Sequence, residues 1–297
     1  MVIPLTTLDN AQEAEIPATP LPPATTVDLA ELGELQVRHV QGPAGAPTVA
    51  LMHGWTASAD INYFTAYEML SQHFSVLAFD QRGHGTGLRT KKSFRLEDCA
   101  DDVIRVADAL GIDELIGVGY SMGGTIAQLL WKQHPTRVNG LVLCATAPYF
   151  SERREERLSF VGLNGLATLA RLTPGQARDW FSEQFYLQRK SESWGPWAVA
   201  QAAQHDWRMV LEAGHAVGQF SSLEWAHTVD VPTAVIVTLD DPVVPKSRQI
   251  KLLELIPQAE VFRVKGEHDA IVAHADRFVP TLVRAIDNVA QRSNNTP

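Results

Sequence analysis

Six short, almost unbroken apolar runs punctuate the chain: Thr48–Met52, Ser75–Phe79, Leu115–Tyr120, Gly140–Ala145, Thr233–Thr238 and Glu260–Val264. A strand with one wet face alternates apolar and polar side chains, whereas runs as continuous as most of these belong to strands covered on both faces. Between them the apolar period lengthens towards 3.6 residues. It is clearest in EDCADDVIRVADALG, where Val103, Ile104, Ala107 and Leu110 share one face and Gly111 can end the helix. Strand and helix therefore alternate, which predicts an α/β fold with a mostly parallel sheet flanked by helices on both faces. From Val27 to Val40 a partial alternation around Gly33 predicts an antiparallel hairpin at a sheet edge, and QGPAGAP after it reads as a loop.

The alternation breaks between about Pro148 and Val229. There SERREERLSFVGLNGLATLARL and QARDWFSEQF read as amphipathic helices and no strand pattern stands out. The expected organisation is a core of residues 26–148 and 229–297 carrying a helical cap over 149–228. Five of the seven tryptophans fall in or near that cap (Trp180, Trp194, Trp197, Trp207, Trp225). They either line a lid over an apolar pocket or anchor a small helical layer. Residues 1–25 hold five prolines and several acidic residues without any period, so a mobile tail is expected there.

Composition narrows the function classes. The 297 residues are 45% hydrophobic and 20% charged, as in an enzyme-sized globular unit. A net charge of −9 offers no basic surface for nucleic acid or anionic lipid. No stretch is apolar for long enough to span a bilayer, and the first residues lack the basic and apolar regions of a secretory leader, so a cytoplasmic protein is expected. Cys99 and Cys144 both lie in apolar-periodic segments and read as buried thiols rather than a disulfide or metal site.

Chemistry enters at Gly119-Tyr120-Ser121-Met122-Gly123, a G-x-S-x-G pattern between the apolar run LIGVGY and the helical pattern MGGTIAQLLWKQH, which Pro135 stops. A serine on so sharp a turn needs glycines two residues either side, where a side chain would strike neighbouring backbone. The helix N-terminus behind Ser121 favours negative charge developing on a bound carbonyl. A serine hydroxyl needs a base, and His268 follows the last apolar run in the loop Lys265–Asp269, from which it can return to the same sheet edge. His205, His215, His227 and His274 read as structural. A carboxylate to orient the base is supplied by Asp240 or Asp241 after the penultimate run. Asp241 is the choice, because Pro242 biases it towards extended backbone, with Asp240 as the turn residue and the reverse assignment as the alternative.

With these residues in hand, the chain resembles the α/β-hydrolase superfamily from the hairpin near Val27 to the last helix. Met52-His53-Gly54-Trp55 is similar to the family's oxyanion loop, and Asp80-Gln81-Arg82-Gly83-His84-Gly85 to the loop after its fourth strand. The resemblance implies an oxyanion hole built from the backbone N–H groups of Trp55 and Met122. It implies architectural roles for His53 and His84, and for the Trp55 side chain either a wall of the acyl pocket or simple packing. Two departures stand out: Thr238 sits where similar chains often carry glycine, and the histidine loop holds the single glycine Gly266.

The expected activity is hydrolysis of a small to medium, partly apolar carboxylic ester through an acyl-enzyme, with Ser121, His268 and Asp241 as catalytic residues and neither metal nor organic cofactor. Relatives with the same three residues also include cofactor-free haloperoxidases, perhydrolases and C–C bond hydrolases. Serine in place of aspartate at position 121 disfavours the alkyl-enzyme chemistry of epoxide hydrolases and dehalogenases. The alternative of another class is a receptor that keeps the fold without turnover.

Overall fold

In the computed structural model, which describes residues 21–152, 154–172 and 195–294, eight strands form one sheet: β1 (Thr25–Asp28), β2 (Glu34–Val40), β3 (Thr48–Met52), β4 (Ser75–Phe79), β5 (Leu115–Tyr120), β6 (Val138–Cys144), β7 (Thr233–Thr238) and β8 (Glu260–Val264). The described helices are α1 (Ala59–Tyr63), α2 (Tyr67–Ser71), α3 (Leu96–Ala109), α4 (Met122–Gln133), α5 (Arg154–Leu172), α6 (Gly195–Ala202), α7 (Trp207–Gln219), α8 (Lys246–Leu255), α9 (Ala270–Ala273) and α10 (Ala275–Asn294). None of these helices is long and apolar enough to cross a membrane.

The sheet order is β1-β2-β4-β3-β5-β6-β7-β8, antiparallel from β1 to β4 and parallel from there to β8. The predicted hairpin is the antiparallel edge. Its first strand opens at Thr25, inside the stretch read as tail, and the Pro22 carbonyl accepts a hydrogen bond from Arg38. Alternate residues of the central strands feed two cores. Ala50 and Met52 point to one with α3, α4 and α7, while Val49, Leu51, Ile116 and Val118 point to the other with α2 and α10. Burial on both faces is why these segments read as unbroken apolar runs.

β6 begins two residues earlier than its apolar run. Its register against β5 shifts at Leu115/Ile116, which leaves Asn139 outside the pairing. Ala145, read as the last residue of that strand, instead takes φ +46° and leaves it. At Gly140 a Cβ would lie 2.1 Å from Val289 Cγ1, so the absent side chain lets α10 lie flat on the sheet.

Between β6 and β7 the described chain is helical. An antiparallel bridge between Tyr149 and Ser221, with the Ser222 N–H donating to the Pro148 carbonyl, joins the entry and exit of this insertion. Helix α7 is its foundation: Met209, Ala213 and Val217 are part of the main core. Glu212 accepts from the Phe94 N–H, and Arg208 donates to the Thr90 carbonyl. Helix α5 lies on α7, with Phe160 filling the space left by Gly218. The QARDWFSEQF segment, Trp180 and Trp194 lie outside the described residues. Trp197 packs edge-on against Phe64, and Trp225 sits under the Lys132 ammonium of α4.

The parallel crossovers diverge at β3 and β5, since β4 lies on one side of β3 and β5 on the other. The crevice outside the carboxyl ends of such a strand pair is where open α/β sheets place their ligands. Met52 pairs with Gly119, so the loop that follows β3 and the turn that follows β5 leave the sheet side by side.

One buried ion pair braces the region: the Arg82 guanidinium donates to both oxygens of Asp102 on α3 and to Asp98. Side-chain exposure is 7% for Arg82 and 3% for Asp102. Removing one partner strands the other in a poor solvent. Asp102→Ala is therefore expected to cost about 3 kcal/mol in urea unfolding at pH 7.

Candidate active site

Ser121 occupies the turn between β5 and α4 with φ +54° and ψ −115°, a strained conformation for a residue with a side chain. Close approach on three sides holds it there. A Cβ on Gly119 would lie 2.1 Å from the Gly123 carbonyl oxygen, one on Gly123 would lie 1.9 Å from the Met52 carbonyl oxygen, and one on Gly124 would strike the Thr146 side chain at 2.4 Å. The turn is also tied by hydrogen bonds. The Ser121 N–H donates to the Cys144 carbonyl, and the Ser121 carbonyl accepts from Gly124 N–H and from Thr146 Oγ1.

Three side chains from separate loops meet in series above this turn. His268 Nε2 lies 2.9 Å from Ser121 Oγ, and His268 Nδ1 lies 2.7 Å from Asp241 Oδ2. The histidine loop is anchored by Tyr120, whose hydroxyl donates to the His268 carbonyl at 2.8 Å. Tyr120 therefore serves both ends of the arrangement, since it also precedes the serine. Asp240, by contrast, is exposed, and its N–H bonds to the Gly266 carbonyl.

The Asp241 carboxylate is enclosed by donors. Oδ1 accepts from the N–H groups of Val243 and Val244, and Oδ2 accepts from Thr238 Oγ1 at 2.8 Å, from Gln249 Nε2 at 3.3 Å and from His268. Burial works to raise its pKa, but the hydrogen bonds and charge of His268, with those from Val244 and Thr238, prevail and hold the carboxyl below its ordinary value. Thr238 thus does what a glycine at that position could not: its hydroxyl accepts from Gln249 Nε2 at 2.9 Å and donates its own O–H to the carboxylate. Gln249, Thr146 and this use of Thr238 escaped the sequence reading. Only the departure of Thr238 from the family glycine carried a signal.

Gly54 lies against Ser121, where a Cβ would sit 3.4 Å from the serine Cβ. The Gly54 carbonyl accepts from His53 Nδ1 at 2.8 Å and from the Ala57 N–H, and in a trans peptide this turns the Trp55 N–H to the opposite side. Among the described residues neither the Trp55 nor the Met122 N–H donates to a protein acceptor.

The other loop histidines bond to backbone. His53 Nε2 accepts from the Gln81 N–H, His84 Nδ1 contacts the Arg82 carbonyl, and His205 Nδ1 accepts from the Gly85 N–H. Their rings meet edge to face in a row, with centroids 5.2 Å apart for His53–His84 and 5.4 Å for His84–His205. Burial, followed by the neighbouring His53 and His205, pushes His84 well below the ordinary imidazole range, and burial lowers His53 as well. His274 lies at the break between α9 and α10 and packs on Gly266, whereas His215 contacts the Phe160 carbonyl. Among the described residues no group of three or more His, Cys, Asp or Glu side chains has the arrangement of a metal site. Burial pushes the Cys144 thiol well above the ordinary thiol range and keeps it protonated, so it is no nucleophile.

Comparison with known proteins agrees with this architecture. The chain is 24% identical over 268 residues to a putative carbamate hydrolase, RutD, of Agrobacterium fabrum, covering 83% of this chain and 95% of that protein. It is 25% identical over 249 residues to a poly(3-hydroxyalkanoate) depolymerase of Ectopseudomonas oleovorans, covering 77% and 81%. Among solved structures, a hydrolase from Pseudomonas aeruginosa superimposes with a TM-score of 0.74 at 21% identity, over 89% of this chain and 98% of that one. A thermophilic esterase from Thermogutta terrifontis gives 0.73 at 20% identity, over 90% and 99%. The family model described as alpha/beta hydrolase fold matches residues 47–275, and the chain belongs to that family.

Proposed function

We propose that the protein is a serine hydrolase that cleaves a carboxylic ester through an acyl-enzyme, with Ser121 as nucleophile, His268 as base and Asp241 as the orienting carboxylate. The observation that carries this reading is the unbroken series from Ser121 Oγ to His268 Nε2 and from His268 Nδ1 to Asp241 Oδ2. As Oγ attacks the ester carbonyl, Nε2 takes its proton, and the ionised Asp241 stabilises the imidazolium that forms. The C–O bond of the tetrahedral intermediate then breaks, and the imidazolium returns the proton to the departing alkoxide. Water, deprotonated by the same nitrogen, releases the acid and restores the serine.

The N–H groups of Trp55 and Met122 are the donors we assign to the carbonyl oxygen as it becomes an oxyanion. Each such donor supports about 3 kcal/mol of barrier lowering. Residues 149–228 are read as a cap that walls the acyl and alcohol sites. An ester of partly apolar character suits that cap, and relatives named for esterase, enol-lactonase and poly(3-hydroxyalkanoate) depolymerase activity support acyl transfer to water. The name of the relative from Agrobacterium fabrum puts an aryl carbamate beside the ester in the assay panel.

Ser121→Ala is expected to abolish labelling by a fluorophosphonate probe and to lower p-nitrophenyl butyrate hydrolysis by a factor of about one million, and His268→Ala to lower kcat at least ten-thousandfold, both with the fold retained. Hydrolysis at wild-type rates in His268→Ala would reject the assignment. A panel of p-nitrophenyl esters, aryl carbamates, dienone acids and peroxide-dependent halogenation is expected to show its highest kcat/KM with the esters. Tight ligand binding with neither labelling nor turnover would instead mark a receptor.

The lowered Asp241 pKa also sets a pH dependence of stability. Its contribution is fully present above the unfolded carboxyl value of about 4 and is lost as pH falls through the still lower folded value. Urea unfolding measured from pH 6 down to pH 2.5 is expected to show a shallower acid loss in Asp241→Asn than in the wild type. Parallel curves would contradict it.

A further inference from the structure

The loop that carries Trp55 is held from two directions. From the core side, His53 fixes the Gly54 carbonyl and Asn62 Oδ1 accepts the Gly54 N–H at 2.6 Å. Past that peptide, the ties come from the insertion. The Trp55 indole Nε1–H donates to the Val210 carbonyl of α7 at 2.7 Å, and its ring lies on Gly214, where a Cβ would come 2.4 Å from Trp55 Cζ2. The ring also packs against the cluster of Ala202, Trp207 and Val210. His205 Nδ1 accepts from Gly85, which leaves the proton on Nε2, and that nitrogen faces the Thr56 carbonyl at 3.3 Å. Thr56 itself has φ +61°, a left-handed conformation that a β-branched residue keeps only when its surroundings impose it.

We propose that the insertion positions the oxyanion donor: helix α7, gripping the Trp55 indole through the Val210 carbonyl and Gly214, sets where the Trp55 N–H stands relative to Ser121, with His205 as a second tie. Trp55, Gly214 and His205 act here as positioning residues through their effect on one backbone N–H. This inference rests on the serine-hydrolase reading. It changes the role of the insertion, which becomes part of the scaffold of the site as well as a wall over it. The physical basis is that an oxyanion donor works only if it is already aimed before the charge develops, and a misplacement of about 1 Å costs about a hundredfold in rate. The grip is firm because α7 is seated in the main core through Met209, Ala213 and Val217.

The test uses Trp55→Phe, which removes the indole N–H and keeps an aromatic ring, together with Gly214→Ala and the double variant. Rates are taken per serine titrated with a fluorophosphonate, so unfolded protein does not count. Trp55→Phe and Gly214→Ala are each expected to lower kcat for p-nitrophenyl butyrate by about 10- to 100-fold, with KM within about twofold and the pH–rate profile unchanged in shape. Inhibition by a trifluoromethyl ketone of matched acyl chain, whose adduct oxygen occupies the oxyanion position, should weaken by the same factor. The smaller phenyl ring leaves room for the alanine methyl, and the other atom that methyl would meet, Leu163 Cδ1 at 2.6 Å, is the far end of a flexible side chain, so adding Gly214→Ala to Trp55→Phe should cost less than about twofold further. Wild-type kcat in both single variants would overturn the proposal. So would losses confined to KM, or losses that multiply in the double variant, since these mark a substrate wall or independent damage. Ser121→Ala run alongside separates the two levels: turnover surviving there refutes the serine-hydrolase reading itself, whatever the Trp55 variants do.

Discussion

The structure depends on how closely the first turn of α4 is driven into the ends of β3 and β5. The Met52 carbonyl, the Gly123 backbone and the Thr146 side chain occupy the volumes that side chains at 123, 119 and 124 would need. This contact ejects Ser121 into its strained conformation, sets the helix N-terminus behind the hydroxyl and brings the loop after β3 within van der Waals distance of the serine. Three bonds to the Ser121 backbone absorb the strain. A wider helix–sheet spacing would relax the turn and separate the groups that must act together.

Much of this was legible along the chain, for definite reasons. Strands buried on both faces write themselves as unbroken apolar runs, so the parallel sheet was readable strand by strand. The one boundary read late, at Val138, lies where the register shift leaves a polar Asn139 at the edge of the apolar run. The serine turn was readable because steric exclusion demands glycine at fixed offsets. The contacts around Asp241 were not, because Gln249 reaches it from a helix eight residues further on and Thr238 from the preceding strand, and neither residue type announces a partner. Which neighbouring aspartate faces the imidazole follows from backbone direction: the N–H groups of Val243 and Val244 turn back onto residue 241, while residue 240 bonds outward to the Gly266 carbonyl.

The row of buried histidines shows how polar side chains serve as mortar between loops. Imidazole can take a backbone N–H with one nitrogen and give a proton to a carbonyl with the other, so a single ring crosses a gap between two strand-exit loops without leaving either unsatisfied. His53 does this between the loops after β3 and β4, and His205 between those same loops and the insertion. Each ring must stay neutral to do so, and burial, which disfavours the charged form, supplies that condition at His53 and His84.

The bridge between Tyr149 and Ser221 has an evolutionary consequence. A detour whose ends are pinned together pays a closure entropy that grows only as the logarithm of its length, so residues can be gained or lost between those two points without disturbing the strands on either side. Length drift is therefore cheap in the stretch leading up to α7 and expensive within it, because α7 is keyed into the main core. Diversification among descendants of this fold should accumulate ahead of Trp207 and spare the helix that follows.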